Sequence, residues 1–448
     1  MRRLEKAATT DNIAEGIAHD TAARNKDLVY TVKLLDTING PYSILLDAPW
    51  GDGKTFFVRS IEETLKALNP KIEKDNEIKS KLDVVTNELD DLKTSFLPFY
   101  FNAWENDFVD DPLSALFANM ALAFKKMGST VEHSTSGCIT AVLDAALALT
   151  PFQINATEIV KELNGKNLIE AYEERQSLRE KIDKLANDSL NGTADKLVII
   201  IDELDRCRPD FAVRLLEQTK NLFQSKNIII IISADSLQLA HAAAGLYGPG
   251  YDSQRFIERF FDQRLMLEAA DARKVATGKG FVDDETYYDL FLTELVSSHE
   301  LTIRNYMRVH EMVEAGRAYC KGNTQDSPAI NVAKTLFIPL LIFIARDNNE
   351  LFRSITHGLN FDSLYEQGVK YSTFNTFLSK NVALAKRGKY FSVDVEVATE
   401  ENCKQYAHDV AIWLFSRNRN STEYLDAYRR IGAPGEIDRS VFTSLRFS

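Results

Sequence analysis

The stretch that most constrains this fold is Asp47-Ala48-Pro49-Trp50-Gly51-Asp52-Gly53-Lys54-Thr55. It follows an apolar run, Tyr42 to Leu46, and leads into Phe56-Phe57-Val58-Arg59-Ser60-Ile61. The order is strand, tight glycine loop, helix, which is the context a phosphate-binding loop needs. Gly51 and Gly53 let the backbone turn so that its N–H groups can approach phosphate oxygens. The helix beginning at Lys54 directs the positive end of its dipole at the same anion. Lys54 is then expected to reach the β- and γ-phosphates, and the Thr55 hydroxyl to coordinate Mg²⁺. The common pattern starts with Gly where Ala48 stands here, while the Gly-Lys-Thr end is intact. Trp50, Gly51, Asp52, Gly53, Lys54, Thr55 and Phe56 together form the candidate nucleotide-binding segment.

A second anchor lies at Lys196-Leu197-Val198-Ile199-Ile200-Ile201-Asp202-Glu203-Leu204-Asp205-Arg206. An unbroken, mostly β-branched run reads as a strand buried on both faces of a parallel sheet. It ends in adjacent carboxylates. Asp202 is placed to hold Mg²⁺ directly or through water, and Glu203 to polarise the attacking water. A third strand, Asn227 to Ser233, ends at Ser233-Ala234-Asp235. In nucleotidases with a catalytic Glu, the strand between the phosphate-loop strand and the Asp-Glu strand often ends in a polar γ-phosphate contact. Ser233 or Asp235 could serve, and either could equally be a strand-end cap.

The remainder reads as follows. Residues 1–40 look helical, with Asp11 as a possible cap and Leu28, Val32, Leu35 and Ile38 on one face. Between residues 71 and 93, Ile78, Leu82, Val85, Leu89 and Leu92 form an amphipathic stripe, either packed on the domain or projecting as a partner-binding arm. Leu97 to Phe101 is a further strand, and residues 113–190 hold helical insertions, the segment Lys161–Leu190 being strongly charged. Residues 254–267 read as a helix followed by a short last strand, Arg264 to Leu267. Beyond about residue 270 the pattern is helical, apart from a possible short strand at Ser392 to Ala398.

The formal charge of −12 and pI near 5.3 argue against generic nucleic-acid binding. The four cysteines, Cys138, Cys207, Cys320 and Cys403, form no CxxC pair, so a disulfide framework or zinc site is not expected and a reducing cytoplasm fits. No secretory leader and no membrane span are expected. The apolar segments Cys138–Pro151 and Leu336–Ala345 read as short buried helices.

Trp50-Gly51-Asp52-Gly53-Lys54-Thr55, Phe101-Asn102-Ala103-Trp104-Glu105 and Ile201-Asp202-Glu203-Leu204-Asp205-Arg206-Cys207 together resemble the KAP family of P-loop NTPases, relatives of the STAND and AAA-type nucleotidases. The likeness runs from about Asp27 to Val313, with long gaps. It implies an α/β fold: a P-loop NTPase parallel sheet of the catalytic-Glu (ASCE) type with helical insertions, followed by a mostly α-helical C-terminal region. On that reading residues 1–270 are the NTPase core, 271–330 a helical lid and 331–448 a helical C-terminal region. The resemblance implies Lys54 and Thr55 on phosphate and Mg²⁺, Asp202 supporting Mg²⁺, and Glu203 as base. Asp205 and Arg206 match the family's extended acidic motif. Arg304 is similar to a lid arginine that touches nucleotide, and Arg255 or Arg259 is implied as an arginine finger across a subunit boundary. Many members insert transmembrane helices between the phosphate loop and the Asp-Glu strand, where this chain carries soluble helical insertions. Some bacterial members are linked to phage exclusion.

The implied activity is ATP hydrolysis coupled to self-assembly or to a protein partner. The alternative is a nucleotide-gated interaction protein with little turnover. No Asn/Thr-Lys-x-Asp guanine signature is evident, which favours ATP as the ligand.

Overall fold

The computed structural model describes residues 7–128, 192–267, 286–299, 301–319, 327–387 and 398–432, with scattered positions between 176 and 190. Two compact units divide the chain, Lys6–Asp271 and Ala272–Ser448.

Five parallel strands form the sheet of the first unit: β1 (Tyr42–Asp47), β2 (Phe96–Asn102), β3 (Lys196–Asp202), β4 (Ile228–Ala234) and β5 (Gln263–Met266), in the spatial order β2-β3-β4-β1-β5. β4 therefore lies between the phosphate-loop strand and the Asp-Glu strand. The two isoleucine-rich strands are buried throughout because helices cover both faces. Alternate side chains enter different cores. Leu197, Ile199 and Ile201 join Ile228, Ile230 and Ile232 on one side, while Val198 and Ile200 join Ile229 and Ile231 on the other.

The second of these faces is covered by α1 (Thr10–Ala18), α2 (Asn25–Thr37), α3 (Lys54–Leu68) and α4 (Asn76–Thr86). Thr9, not Asp11, caps α1. Its hydroxyl accepts from the Asn12 N–H, whereas Asp11 sits inside the first turn, where its charge favours the helix dipole. The Lys196 ammonium donates to the carbonyls of Leu35, Asp36 and Ile38, tying the end of α2 to the start of β3. α4 packs on the domain. Leu82 and Val85, with Leu89 just beyond, are completely or almost completely buried, each contributing about 1.5–3 kcal/mol of apolar burial. That stripe is the packed alternative rather than a free arm.

The opposite face carries α5 (Pro112–Gly128), α6 (Pro209–Leu222), α7 (Ser236–Tyr247) and α8 (Ser253–Glu258). Most of the expected 113–190 insertion, the segment Cys138–Pro151 and nearly all of the expected strand near 392–398 lie outside the described residues.

The second unit is helical: α9 (Tyr287–Ser298), α10 (Ile303–Tyr319), α11 (Pro328–Asp347), α12 (Asn349–Thr356), α13 (Ser363–Gly368), α14 (Ser372–Arg387), α15 (Glu400–Phe415) and α16 (Thr422–Arg430). Val309, Leu341, Phe374 and Trp413 share one core. The apolar segment read as Leu336–Ala345 extends further than its sequence suggests. Pro339 does not end it, because a π turn over Ala333–Phe337 widens the helix where the proline ring would otherwise crowd the preceding turn. α11 is long and apolar enough to cross a membrane by length and composition, yet 72% of its apolar window is buried inside this unit. Packing in the helical core accounts for that composition.

Candidate functional site

The C-terminal ends of β1, β3 and β4 bring the expected chemistry to one edge of the sheet. At the end of β1, Gly51 (φ 95°) and Gly53 (φ 79°) take left-handed conformations that a side chain would strain, and Gly53 is the N-cap residue of α3. α3 itself is held by Phe57, Val58, Ile61 and Leu65 on the sheet, so the N-terminus of the helix is aimed by packing. Lys54 is 8% exposed. Its ammonium donates to the Ala48 carbonyl at 2.6 Å and, more distantly, to Pro49 O and Asp205 Oδ2, both at 3.4 Å.

Asp202 ends β3, paired in register with Ser233 of β4 and Asn102 of β2. One carboxylate oxygen accepts from the Tyr100 hydroxyl at 3.0 Å and the other from the Glu203 N–H at 2.9 Å. Burial raises the pKa of Asp202, opposed by the Ser233, Thr55 and Tyr100 hydroxyls, which favour its ionised form. Ser233 Oγ stands close enough to contribute to that balance but is buried without a hydrogen bond of normal geometry. Asp235 caps α7, accepting from the N–H groups of Leu237 and Gln238.

Glu203 adopts a left-handed conformation (φ 59°), uncommon for a side-chain-bearing residue and of a kind that concentrates at functional sites. It turns the chain into the short 3₁₀ segment Leu204–Arg206. Its Oε1 pairs with Arg206 at 2.7 Å, and its Oε2 accepts from Asn102 Nδ2 at 3.3 Å. Desolvation raises its pKa; Arg206 pulls it down and Asp202 pushes it up. The Arg206 guanidinium also lies over the Trp104 ring at 5.4 Å.

The donor set suits a hard divalent cation. Thr55 and Asp202 offer a hydroxyl and a carboxylate beside the unsatisfied Ser233 Oγ. Among the described residues no group of three His, Cys, Asp or Glu could hold an ion alone.

The other expected residues are distributed as follows. Phe56 packs against the core on the α3 side. Trp50 is 46% exposed at the loop tip, its indole N–H donating to Asp205. Arg255 and Arg259 are exposed on and just after α8, with Arg259 over the Phe256 ring at 5.1 Å. Arg304 is the second residue of α10 in the second unit.

Three residues without an assigned role in the sequence reading stand at the site. Tyr100 holds Asp202. Arg24, 8% exposed, donates to the Asp52 carbonyl at 2.7 Å and brings a buried cation to the phosphate loop. Arg264 of β5 pairs with Asp47, whose carboxylate also accepts from the Ser236 N–H and hydroxyl. The signals were slight: a phenol within an otherwise apolar strand, and two arginines with no motif around them.

The comparisons agree with this architecture. The KAP family P-loop domain matches residues 26–277. Among curated proteins, none matches the chain. A family match over more than half of the chain, on a parallel sheet with Gly-Lys-Thr after β1 and Asp-Glu after β3, is sufficient: the chain belongs to the KAP family of P-loop NTPases.

Proposed function

We propose that this protein is a cytoplasmic, Mg²⁺-dependent ATPase whose turnover is coupled to self-assembly or to a protein partner. The observation that carries the reading is the convergence of Lys54, Thr55, Asp202 and Glu203 on one sheet edge, at the N-terminus of α3. Lys54 and the backbone N–H groups of Gly51 to Thr55 would bind and orient the phosphates. Thr55 and Asp202 would hold Mg²⁺, which when bound neutralises phosphate charge. Glu203 would accept the proton of a positioned water, and its burial favours a base with a raised pKa. By family resemblance alone, exposed Arg259 would act across a subunit boundary and Arg304 would touch nucleotide. The helices beyond residue 270 are proposed to carry the partner surface, and phage infection is the setting the family suggests for a defence role.

The test is phosphate release with Mg-ATP, run beside Glu203→Gln and Lys54→Ala over a range of protein concentrations. Glu203→Gln should bind ATP and lose turnover, while Lys54→Ala should lose binding. Full turnover in Glu203→Gln would end the base assignment. Turnover per molecule that rises with concentration supports completion by self-association.

A second reading is favoured by one observation: both carboxylate oxygens of Glu203 are already engaged, by Arg206 and Asn102. A protein held in that state would be a nucleotide-gated switch with little turnover. Nucleotide would then change assembly without phosphate release.

A further inference from the structure

Asp205 lies beyond the Asp-Glu pair and has no part in the chemistry assigned above. Its side chain is 1% exposed, and a single oxygen, Oδ2, receives three donors from distant parts of the chain. The Trp50 indole N–H and the Asp235 backbone N–H both reach it at 2.7 Å, and the Lys54 ammonium at 3.4 Å. These donors come from the tip of the phosphate loop, the end of β4 and the first residue of α3. A solvated acidic turn would not collect them.

We propose that Asp205 is a positioning residue for the phosphate loop. It is a buried carboxylate that pins the loop tip, through Trp50, to the end of β4 and steadies the Lys54 ammonium at the phosphate site.

Two features demand such an anchor. The loop turns on Gly51 and Gly53, residues that restrict the backbone least and so need outside support to hold one shape. Trp50 is half exposed, so burial alone does not fix it; its N–H bond to a carboxylate does. The contacts also dispose of a charge problem. A free carboxylate here would repel an incoming phosphate, but Asp205 is already compensated by one cation and two N–H dipoles. The short bonds go to Trp50 and Asp235 and the long one to Lys54. An arriving phosphate could therefore draw the ammonium away without releasing the loop.

The ATP-affinity arm of the test rests on the nucleotide-binding reading; the arm without nucleotide does not. Trp50 emission is isolated as the difference between the wild-type and Trp50→Phe spectra, leaving out Trp104 and Trp413. In nucleotide-free protein, Asp205→Asn should shift that emission to longer wavelength, because the indole is released to water. An unshifted spectrum overturns the anchor. With ATP, each of Asp205→Asn and Trp50→Phe should weaken binding by about tenfold, the scale of one lost charge-assisted hydrogen bond. The double variant should lose no more than Asp205→Asn alone, since Trp50→Phe deletes a contact that Asp205→Asn has already broken. Multiplicative losses would show independent roles and refute the proposal. If the wild type binds no ATP, the nucleotide reading fails while the emission result still decides the anchor.

Discussion

Tyr100→Phe is a sharp perturbation of Asp202, the carboxylate proposed to hold Mg²⁺, because it deletes one atom. The hydroxyl donates to Asp202 Oδ2 at 3.0 Å, and the Arg59 guanidinium 4.4 Å from the ring centre supports the ring from the α3 side. Burial and the Asp202 charge both raise the Tyr100 pKa, so the phenol stays a donor across the working pH range. Asp202 is 1% exposed, and water cannot readily replace the lost bond. A hydrogen bond to a buried charged group is worth about 1.5–3 kcal/mol, or roughly 10–100-fold in an equilibrium constant. The sign with pH follows from the direction of the shift. Asp202 has a raised folded-state pKa, so its stability contribution is present below the unfolded value and lost as pH rises through the folded one. Removing the donor raises that pKa further. The variant should therefore match wild type most closely in acid and fall increasingly below it towards neutral pH. Urea denaturation across pH reads that divergence, and Mg²⁺ titration of ATP binding should show a requirement raised by about tenfold. A parallel pH–stability curve together with an unchanged Mg²⁺ requirement would refute the argument.

Arg206→Ala removes the group that holds the Glu203 pKa down against its burial, so that pKa should rise. The acid limb of the pH–turnover profile should then move to higher pH, with turnover above the limb increased because Oε1 is released; an unmoved limb would show that Glu203 is not the titrating base. Gly40→Ala tests the seam between β1 and β4: its Cβ would stand 2.2 Å from Ile228 O and 2.9 Å from Lys226 O, both backbone atoms. A loss of about 1–3 kcal/mol is expected on the scale of overpacking, read by thermal denaturation, and wild-type stability would mean that the two strand ends part freely.

Much of this architecture was legible in the chain because its signals are local. The aliphatic runs at 197–201 and 228–232 need no partner to be read as doubly buried strands, and Gly51-Asp52-Gly53-Lys54-Thr55 carries its turn chemistry within itself. What escaped depends on pairings set by the sheet. Tyr100 lies opposite Ile200, so strand register points its hydroxyl along the same face to Asp202, two residues on. Arg264 meets Asp47 only because β5 lies beside β1. Arg24 reaches the phosphate loop from the start of α2, with no periodicity to betray it. The cap of α1 was misplaced by two residues, since Thr9 and Asp11 are both good capping types and only backbone geometry separates them.

Asp47, Asp202, Glu203 and Asp205 are four of the acidic groups at the site edge, in a protein that is already acidic overall. Such an edge would repel a polyphosphate unless each charge were answered nearby, and each has its own partner. Arg264 and Ser236 serve Asp47; Tyr100 and the Glu203 N–H serve Asp202; Arg206 and Asn102 serve Glu203; Trp50, Asp235 N–H and Lys54 serve Asp205. Of these partners, Lys54 has the longest contact with its carboxylate and lies in the loop that would receive phosphate. Asp202 alone is matched only by neutral donors, although it is the most deeply buried of the four. The asymmetry assigns different work to the two positions on the proposed reading. Lys54 is the cation free to change partners, and Asp202 is the carboxylate left in need of one.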